Sequence, residues 1–248
     1  MQYYNSKGEL VELSGIKSGM YGHNSEIIKM NDKEFYKRYF WKTDETCRIP
    51  IEVFEFIKQV SNEHLIKLLE RFYRVEEGIT PSDIINNPEK YIIDAYTYEW
   101  IEKDDVDIFL MPVDYLMDNL RELLDLADYF SEYGLYLIDT KAKNTVLNNS
   151  GIVLIDPDIN TFSYEASYKE FPKLEDTYAV KRWNRRKIID LFKDICTKAL
   201  QLRCDAPEVL VHNLFEDTEW DGSYDVAIVS KKLKGYKTPL DYAISTCI

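Results

Sequence analysis

The sequence predicts an α+β fold in which strands dominate up to residue 101 and helices dominate afterwards. Three observations carry this. Short segments of alternating, β-branched or aromatic character recur between turn residues in the first part of the chain. Two long later stretches, 113–133 and 179–202, repeat apolar residues with a helical period. With 248 residues and 45% hydrophobic content, the chain can bury a core large enough for one two-lobed domain or two small ones.

Residues Glu9 to Ser14 alternate, and a glycine-bearing turn follows. Ser25 to Met30 and Glu34 to Trp41 then flank the turn Asn31-Asp32-Lys33, so three antiparallel strands are expected. Pro50 suits the first turn of a helix, and Ile51, Phe54, Ile57 and Val60, with Phe56, give it an apolar stripe. Leu65 to Val75 and Tyr91 to Ile101 supply two more strands and complete a five-stranded sheet. The polar stretch between them, with Pro81, Asn86, Asn87 and Pro88, is expected to be a surface insertion.

From Val113 to Tyr133, Leu116, Leu120, Leu123, Leu124, Ala127 and Phe130 form an amphipathic helix, and Gly134 stands where a left-handed cap would end it. Asn148-Asn149-Ser150-Gly151 is a hairpin signal between Thr145 to Leu147 and Ile152 to Ile155. Ala179 to Leu202 is a second strong helix, apolar at Ile188, Ile189, Phe192, Ile195, Cys196, Ala199 and Leu200. The expected division is 1–101, a sheet with one helix, and 102–248, mainly helical.

Composition narrows the chemistry. A formal charge of −13 argues against DNA or RNA as the main partner, because phosphate contacts dominate that affinity. Cys47, Cys196, Cys204 and Cys247 lack the close spacing of zinc sites, so reduced thiols and a cytoplasmic location are expected. No apolar run approaches the ~20 residues of a membrane span, and the polar start Met1-Gln2-Tyr3-Tyr4-Asn5 lacks a signal-peptide pattern. With only His23, His64 and His212 present, acid–base work falls to carboxylates.

One stretch concentrates suitable groups: Asp139-Thr140-Lys141-Ala142-Lys143-Asn144, followed across the hairpin by Asp156. Phosphoryl transfer needs a carboxylate to orient the attacking hydroxyl, a cation near the moving phosphoryl, and oxygen ligands for magnesium. Asp139, Lys141, and the pair Asn144 and Asp156 supply these in turn.

These residues resemble the protein kinase superfamily, whose catalytic loop is His-Arg-Asp-x-Lys-x-x-Asn and whose magnesium motif is Asp-Phe-Gly. Asp139, Lys141 and Asn144 match the spacing, while Leu137 and Ile138 stand in for His-Arg and Pro157 and Asp158 for Phe-Gly. The resemblance runs over roughly residues 9 to 200 and implies a bilobal fold. It makes Asp139 and Lys141 catalytic, Asn144 and Asp156 ligands of Mg2+, and ATP the phosphoryl donor.

The same resemblance puts Gly15, Gly19 and Gly22 in a loop over the phosphates, at an irregular spacing, and Lys37 against the α and β phosphates. It pairs Lys37 with a helical glutamate, Glu52 first and Glu55 second. It sets the backbone of Glu99 and Ile101 against adenine, within the hinge Tyr98-Glu99-Trp100-Ile101.

Lys141 favours a Ser/Thr protein kinase acting on a protein substrate. A small-molecule kinase and a pseudokinase binding module are the alternatives, and minimal kinases of this kind occur among bacterial effectors. The absence of the loop arginine implies activity without activation-loop phosphorylation. A basic group, Lys181, Arg182, Arg185, Arg186 and Lys187 around Trp183, offers an acidic segment or anionic effector a place to dock, or is a solvated helix face. His64, before Leu65-Ile66, is expected to pack or cap.

Overall fold

A computed structural model describes residues 2–21, 25–40, 49, 51–156, 159–160, 177–201, 203–216, 218–220, 223–224 and 226–246. Contacts divide the chain into two units, one of Met1–Ser61 with Ile66–Ile101 and the other of Asn62–Leu65 with Glu102–Ile248.

In the first unit, β1 (Gln2–Asn5) and β2 (Leu10–Glu12) form a hairpin. Its turn is fixed by Asn5, whose Oδ1 accepts from the N–H groups of Lys7 and Glu9 at 3.0 and 2.9 Å, and by Gly8 at φ 74°. Then come β3 (Ile16–Tyr21), β4 (Ser25–Lys29), β5 (Glu34–Tyr39), α1 (Ile51–Gln59), β6 (Leu68–Arg74), α2 (Pro81–Asn86) and β7 (Ile93–Glu99).

The strands make one antiparallel sheet in the order β2-β1-β6-β7-β5-β4-β3, so the sheet has seven strands and not the five expected. The two additional strands are β1 and β3: Leu10–Glu12, within the expected strand Glu9 to Ser14, pairs with β1, and Ile16–Tyr21, in the stretch expected to be a glycine-bearing turn, pairs with β4. Gly15 lies at the join, where an added Cβ would stand 2.3 Å from the Lys29 carbonyl oxygen, so a side chain there would collide with β4.

Tyr3, Leu13, Ile28, Tyr36, Phe72 and Ala95 form a buried cluster with Val11 and Met30 against it. Rings of Phe35 and Tyr98 stack at 5.1 Å, and Phe54 of α1 stacks on Tyr96 at 5.3 Å. α1 buries Val53, Phe54 and Ile57, a stripe turned from the expected one, with Ile51 and Phe56 only half-buried; Pro50 lies outside the described residues. The expected insertion holds α2, opened by a capping box between Thr80 and Asp83 with Pro81 in its first turn, and Ile84 anchors it in the interior.

The second unit contains α3 (Val113–Glu132), β8 (Tyr136–Leu137), β9 (Thr145–Leu147), β10 (Ile152–Leu154), β11 (Ile159–Asn160) and α4 (Thr177–Leu200). After them come α5 (Pro207–Phe215), β12 (Glu219–Trp220), β13 (Ser223–Tyr224), α6 (Ala227–Leu233) and α7 (Pro239–Thr246). α3 packs along α4 through buried residues on both, Leu120, Leu123, Leu124, Ala127 and Phe130 on α3 and Ile188, Leu191, Phe192 and Ile195 on α4.

α3 stops where the sequence expects. Gly134 takes φ 66°, its N–H donates to Ser131 O at 3.1 Å, and Leu135 N–H reaches back to Phe130 O at 3.0 Å, which turns the chain into β8. Asn148 closes the β9–β10 hairpin by accepting from Ser150 and Gly151 N–H groups at 3.0 and 2.9 Å. Among the described residues no helix is long and apolar enough to cross a membrane. Cys196 is buried and Cys204 half-buried, both as free thiols, and burial pushes the Cys196 thiol far up in pKa. Cys47 and Cys247 lie outside the described residues.

Candidate functional site

The loop after β8 is held by the helix that follows it in sequence. Asn184 of α4 is fully buried. Its Oδ1 accepts from Leu137 N–H at 2.8 Å, and its Nδ2 donates to Leu135 O at 2.8 Å and Ser131 Oγ at 2.9 Å. Trp183 Nε1 donates to Leu137 O at 3.0 Å, Thr140 Oγ1 to Lys187 O at 3.2 Å, and Ala142 N–H to Asp194 Oδ2 at 2.8 Å. Four positions of α4 thus grip residues 137–142 along their length. None is flagged by loop spacing. Asn184 does leave a trace, a polar residue one turn before Ile188 at a position in phase with the apolar stripe.

Within this cradle Asp139, Lys141 and Asn144 meet. Lys141 Nζ forms an ion pair with Asp139 Oδ2, and Asn144 Nδ2 donates to the Asp139 backbone oxygen at 2.9 Å and to Asp139 Oδ2 at 3.2 Å. Both ionised side chains stay reachable, at 34% and 43% exposure. A one-turn helix over Ala142–Asn144 sets the spacing, with Asn144 N–H bonded to Lys141 O at 2.8 Å.

The hairpin then returns the chain, and Ile155 N–H donates to Asn144 O at 3.0 Å, which puts half-buried Asp156 one residue from a backbone tie to Asn144. Since the Asn144 amide nitrogen faces Asp139, its oxygen is the atom left to face outward. That oxygen and the Asp156 carboxylate are hard donors of the kind magnesium takes. Pro157 and Asp158 are outside the described residues.

In the first unit, Lys37 of β5 stands opposite Ile27 and Tyr96, half-buried, with Nζ 5.5 Å from the centre of the Tyr39 ring. Opposed residues share a face, so Lys37 lies on the same side as Tyr96 and the Phe54 ring stacked on it. Glu55 of α1 forms an ion pair with Arg71 of β6, whose guanidinium lies 5.6 Å over the Phe54 ring, and Glu52 is exposed.

Gly15 lies in the connection between β2 and β3, and Gly19 lies inside β3, a strand position and not a loop position. Gly22 and His23 lie outside the described residues. Glu99 N–H donates to Lys67 O at 3.0 Å and Trp100 N–H to Lys33 O at 2.6 Å, and Ile101 follows the end of β7.

The basic group on α4 is partly neutralised. Arg185 Nε and Nη2 donate to Asp128 at 2.7 and 2.6 Å, Lys181 Nζ lies 2.9 Å from the same carboxylate, and Arg186 faces Asp190 at 3.8 Å. Lys187 Nζ sits 4.8 Å from the centre of the Trp183 ring.

No family model matches the chain, and no curated protein matches it. Among solved structures it is similar to the Legionella pneumophila Lpg2603 kinase bound to IP6, at 10% identity and a TM-score of 0.42. The match covers 73% of this chain and 60% of that one, so this chain spans less than two thirds of that structure's length.

Proposed function

We propose that the protein is an ATP- and Mg2+-dependent phosphotransferase, with Ser/Thr side chains of a protein as its acceptor. The reading rests on one observation, the clasp of Asn144 and Lys141 on Asp139 in a loop fastened by Asn184 and Asp194.

Asp139 orients the acceptor hydroxyl and takes up its proton as the oxygen attacks the γ-phosphorus and the bond from that phosphorus to the β,γ-bridging oxygen breaks, releasing ADP. Lys141, paired with the same carboxylate, places positive charge beside the phosphoryl group in transit. Asn144 Oδ1 and Asp156 are the residues to hold Mg2+, which when bound offsets the negative charge of the phosphates. Lys37 serves the α and β phosphates, and the backbone of Glu99 and Ile101 the base. An anionic partner at α4 would meet a basic group in which Lys181 and Arg185 are engaged by Asp128 and Arg186 faces Asp190.

The test is transfer from labelled ATP with Mg2+ to a cell lysate, compared among wild type, Asp139→Ala and Asp156→Ala. Asp156→Ala should weaken Mg·ATP binding, whereas Asp139→Ala should mainly lower turnover. Label in protein bands supports the protein acceptor, and label in the small-molecule fraction would replace it. Full activity in either folded variant would reject the assignment.

A further inference from the structure

The ring of His64, 2% exposed, meets an oxygen acceptor at each nitrogen: the Ile152 carbonyl lies 2.9 Å from Nδ1, and Glu122 Oε2 of α3 lies 2.7 Å from Nε2. Neither oxygen brings a proton when Glu122 is ionised. Keeping both contacts therefore takes two protons, one on Nδ1 and one shared across Nε2 and Oε2.

The backbone adds to this hold. Leu154 N–H donates to the His64 carbonyl at 2.9 Å, Leu65 and Leu154 form a parallel bridge, and Asn62 Oδ1 accepts from His64 N–H at 2.8 Å. β10 consequently lies between β9 and residues 64–65. It leads directly into Ile155, tied to Asn144, and then Asp156.

The surroundings of the ring are specific. The titratable groups about it are Glu122 from α3 and Glu63 from its own segment, with ligand atoms all within 4.8 Å of one another. From the hairpin comes Gly151, where an added Cβ would stand 3.2 Å from His64 Cε1 and 2.8 Å from Asn119 Oδ1. Asn119 of α3 itself accepts from Ile152 N–H at 2.6 Å. The 2.7 Å gap between Nε2 and Oε2 suits a proton; two ligands on one zinc ion, with bonds of ~2.0–2.1 Å, stand about 3 Å or more apart.

We propose that His64, clamped between the Ile152 carbonyl and Glu122, is a positioning residue for Asp156, because the clamp keeps β10 in place. The proposal rests on the phosphotransferase reading for the role of Asp156; the clamp itself does not.

Two variants of half-exposed Glu122 test it, because a surface change there should leave the fold intact. Glu122→Gln brings its own N–H to Nε2 and so makes the second proton unnecessary. Glu122→Ala offers Nε2 no partner. In the full chain, at one fixed pH, we would measure the Mg2+ concentration that half-saturates phosphoryl transfer. Alongside it, Mg·ATP binding by calorimetry and the nitrogen NMR signals of the His64 ring would be followed.

In Glu122→Ala the half-saturating Mg2+ and the calorimetric Kd should both rise roughly fivefold over wild type, the scale of one hydrogen bond, with the ring signals of His64 shifted. Glu122→Gln, which still meets Nε2, should hold both constants near the wild-type values, with kcat moving less than either constant in both variants. A Glu122→Gln protein as weakened as Glu122→Ala, a Glu122→Ala protein equal to wild type, or zinc bound stoichiometrically at the three side chains would overturn the proposal. Absence of transfer in wild type would instead strike at the phosphotransferase reading, with binding and ring signals still deciding the clamp.

Discussion

Asn184→Ala removes one side chain that serves two backbone groups at close range, a third, Ala127 O, at 3.4 Å, and a hydroxyl. Leu137 N–H and Leu135 O, on residues 1% and 4% exposed, lose partners at 2.8 Å, while Ser131 keeps its own donation to Ala127 O at 2.7 Å. Each orphaned buried group costs about 1–3 kcal/mol, so a loss of roughly 4 kcal/mol is expected for the pair. With m near 2–3 kcal/mol per molar urea, the midpoint should fall by about 1.5–2 M. Because the chain has two units, the transition should be followed by amide exchange on α3 and α4, which reports the second unit alone. Ser131→Ala, which leaves both Asn184 backbone contacts in place, is the control and should cost about 1 kcal/mol. A loss below ~1 kcal/mol for Asn184→Ala, or one no larger than the control, would refute the account of how α4 holds the loop.

Asp128 should make the second unit acid-sensitive. Burial raises its carboxyl, but hydrogen bonds from Arg185 and Lys181 outweigh that and hold it below the ordinary carboxylate value. Its contribution to stability is thus present above the unfolded value of about 3.9 and is lost as pH falls through the lower folded value, so Asp128→Asn should flatten the acid limb of a Tm-versus-pH curve. Lys37→Met keeps a stem of similar length without the charge and should lower turnover by ~100-fold; near-normal transfer would remove Lys37 from the phosphate site. Gly15→Ala sets a methyl against the Lys29 carbonyl and should lower Tm of the first unit by several degrees, a few kcal/mol, whereas a residue in an open loop would tolerate the change.

The parts of this molecule that are legible in the sequence are those where one local signal decides. Asn148 to Gly151 announces its hairpin because Asn and Gly supply the turn without help from distant residues. Gly134 marks the end of α3 for the same reason, since only a left-handed position lets Leu135 N–H reach Phe130. That Asp139, Lys141 and Asn144 meet is legible too, because one short loop contains all three.

What escapes the sequence depends on pairing. Gln2–Asn5 is a strand only because β2 and β6 flank it, and Ile16–Tyr21, which reads as a glycine-bearing turn, is a strand because β4 pairs with it. The partner of Glu55 is equally hidden, for Arg71 lies on a strand whose neighbours are settled only by the whole sheet order. Asn184 and Asp194 act on a loop some fifty residues earlier, a reach that spacing rules do not cover.

Residues 62–65 bear on how the chain is made. A ribosome releases the strands of the first sheet in order up to residue 101, whereas the carbonyl that His64 needs is supplied by Ile152, 88 positions later. The segment therefore waits with Nδ1 of its ring unpartnered through the synthesis of α3. The closing of β10 against it is a late event of long contact range, slow in the way non-local pairings are. A fragment that starts at residue 102 would make α3 and the β9–β10 hairpin yet lack the strand-like piece beside β10, so such a fragment should expose that edge and associate through it.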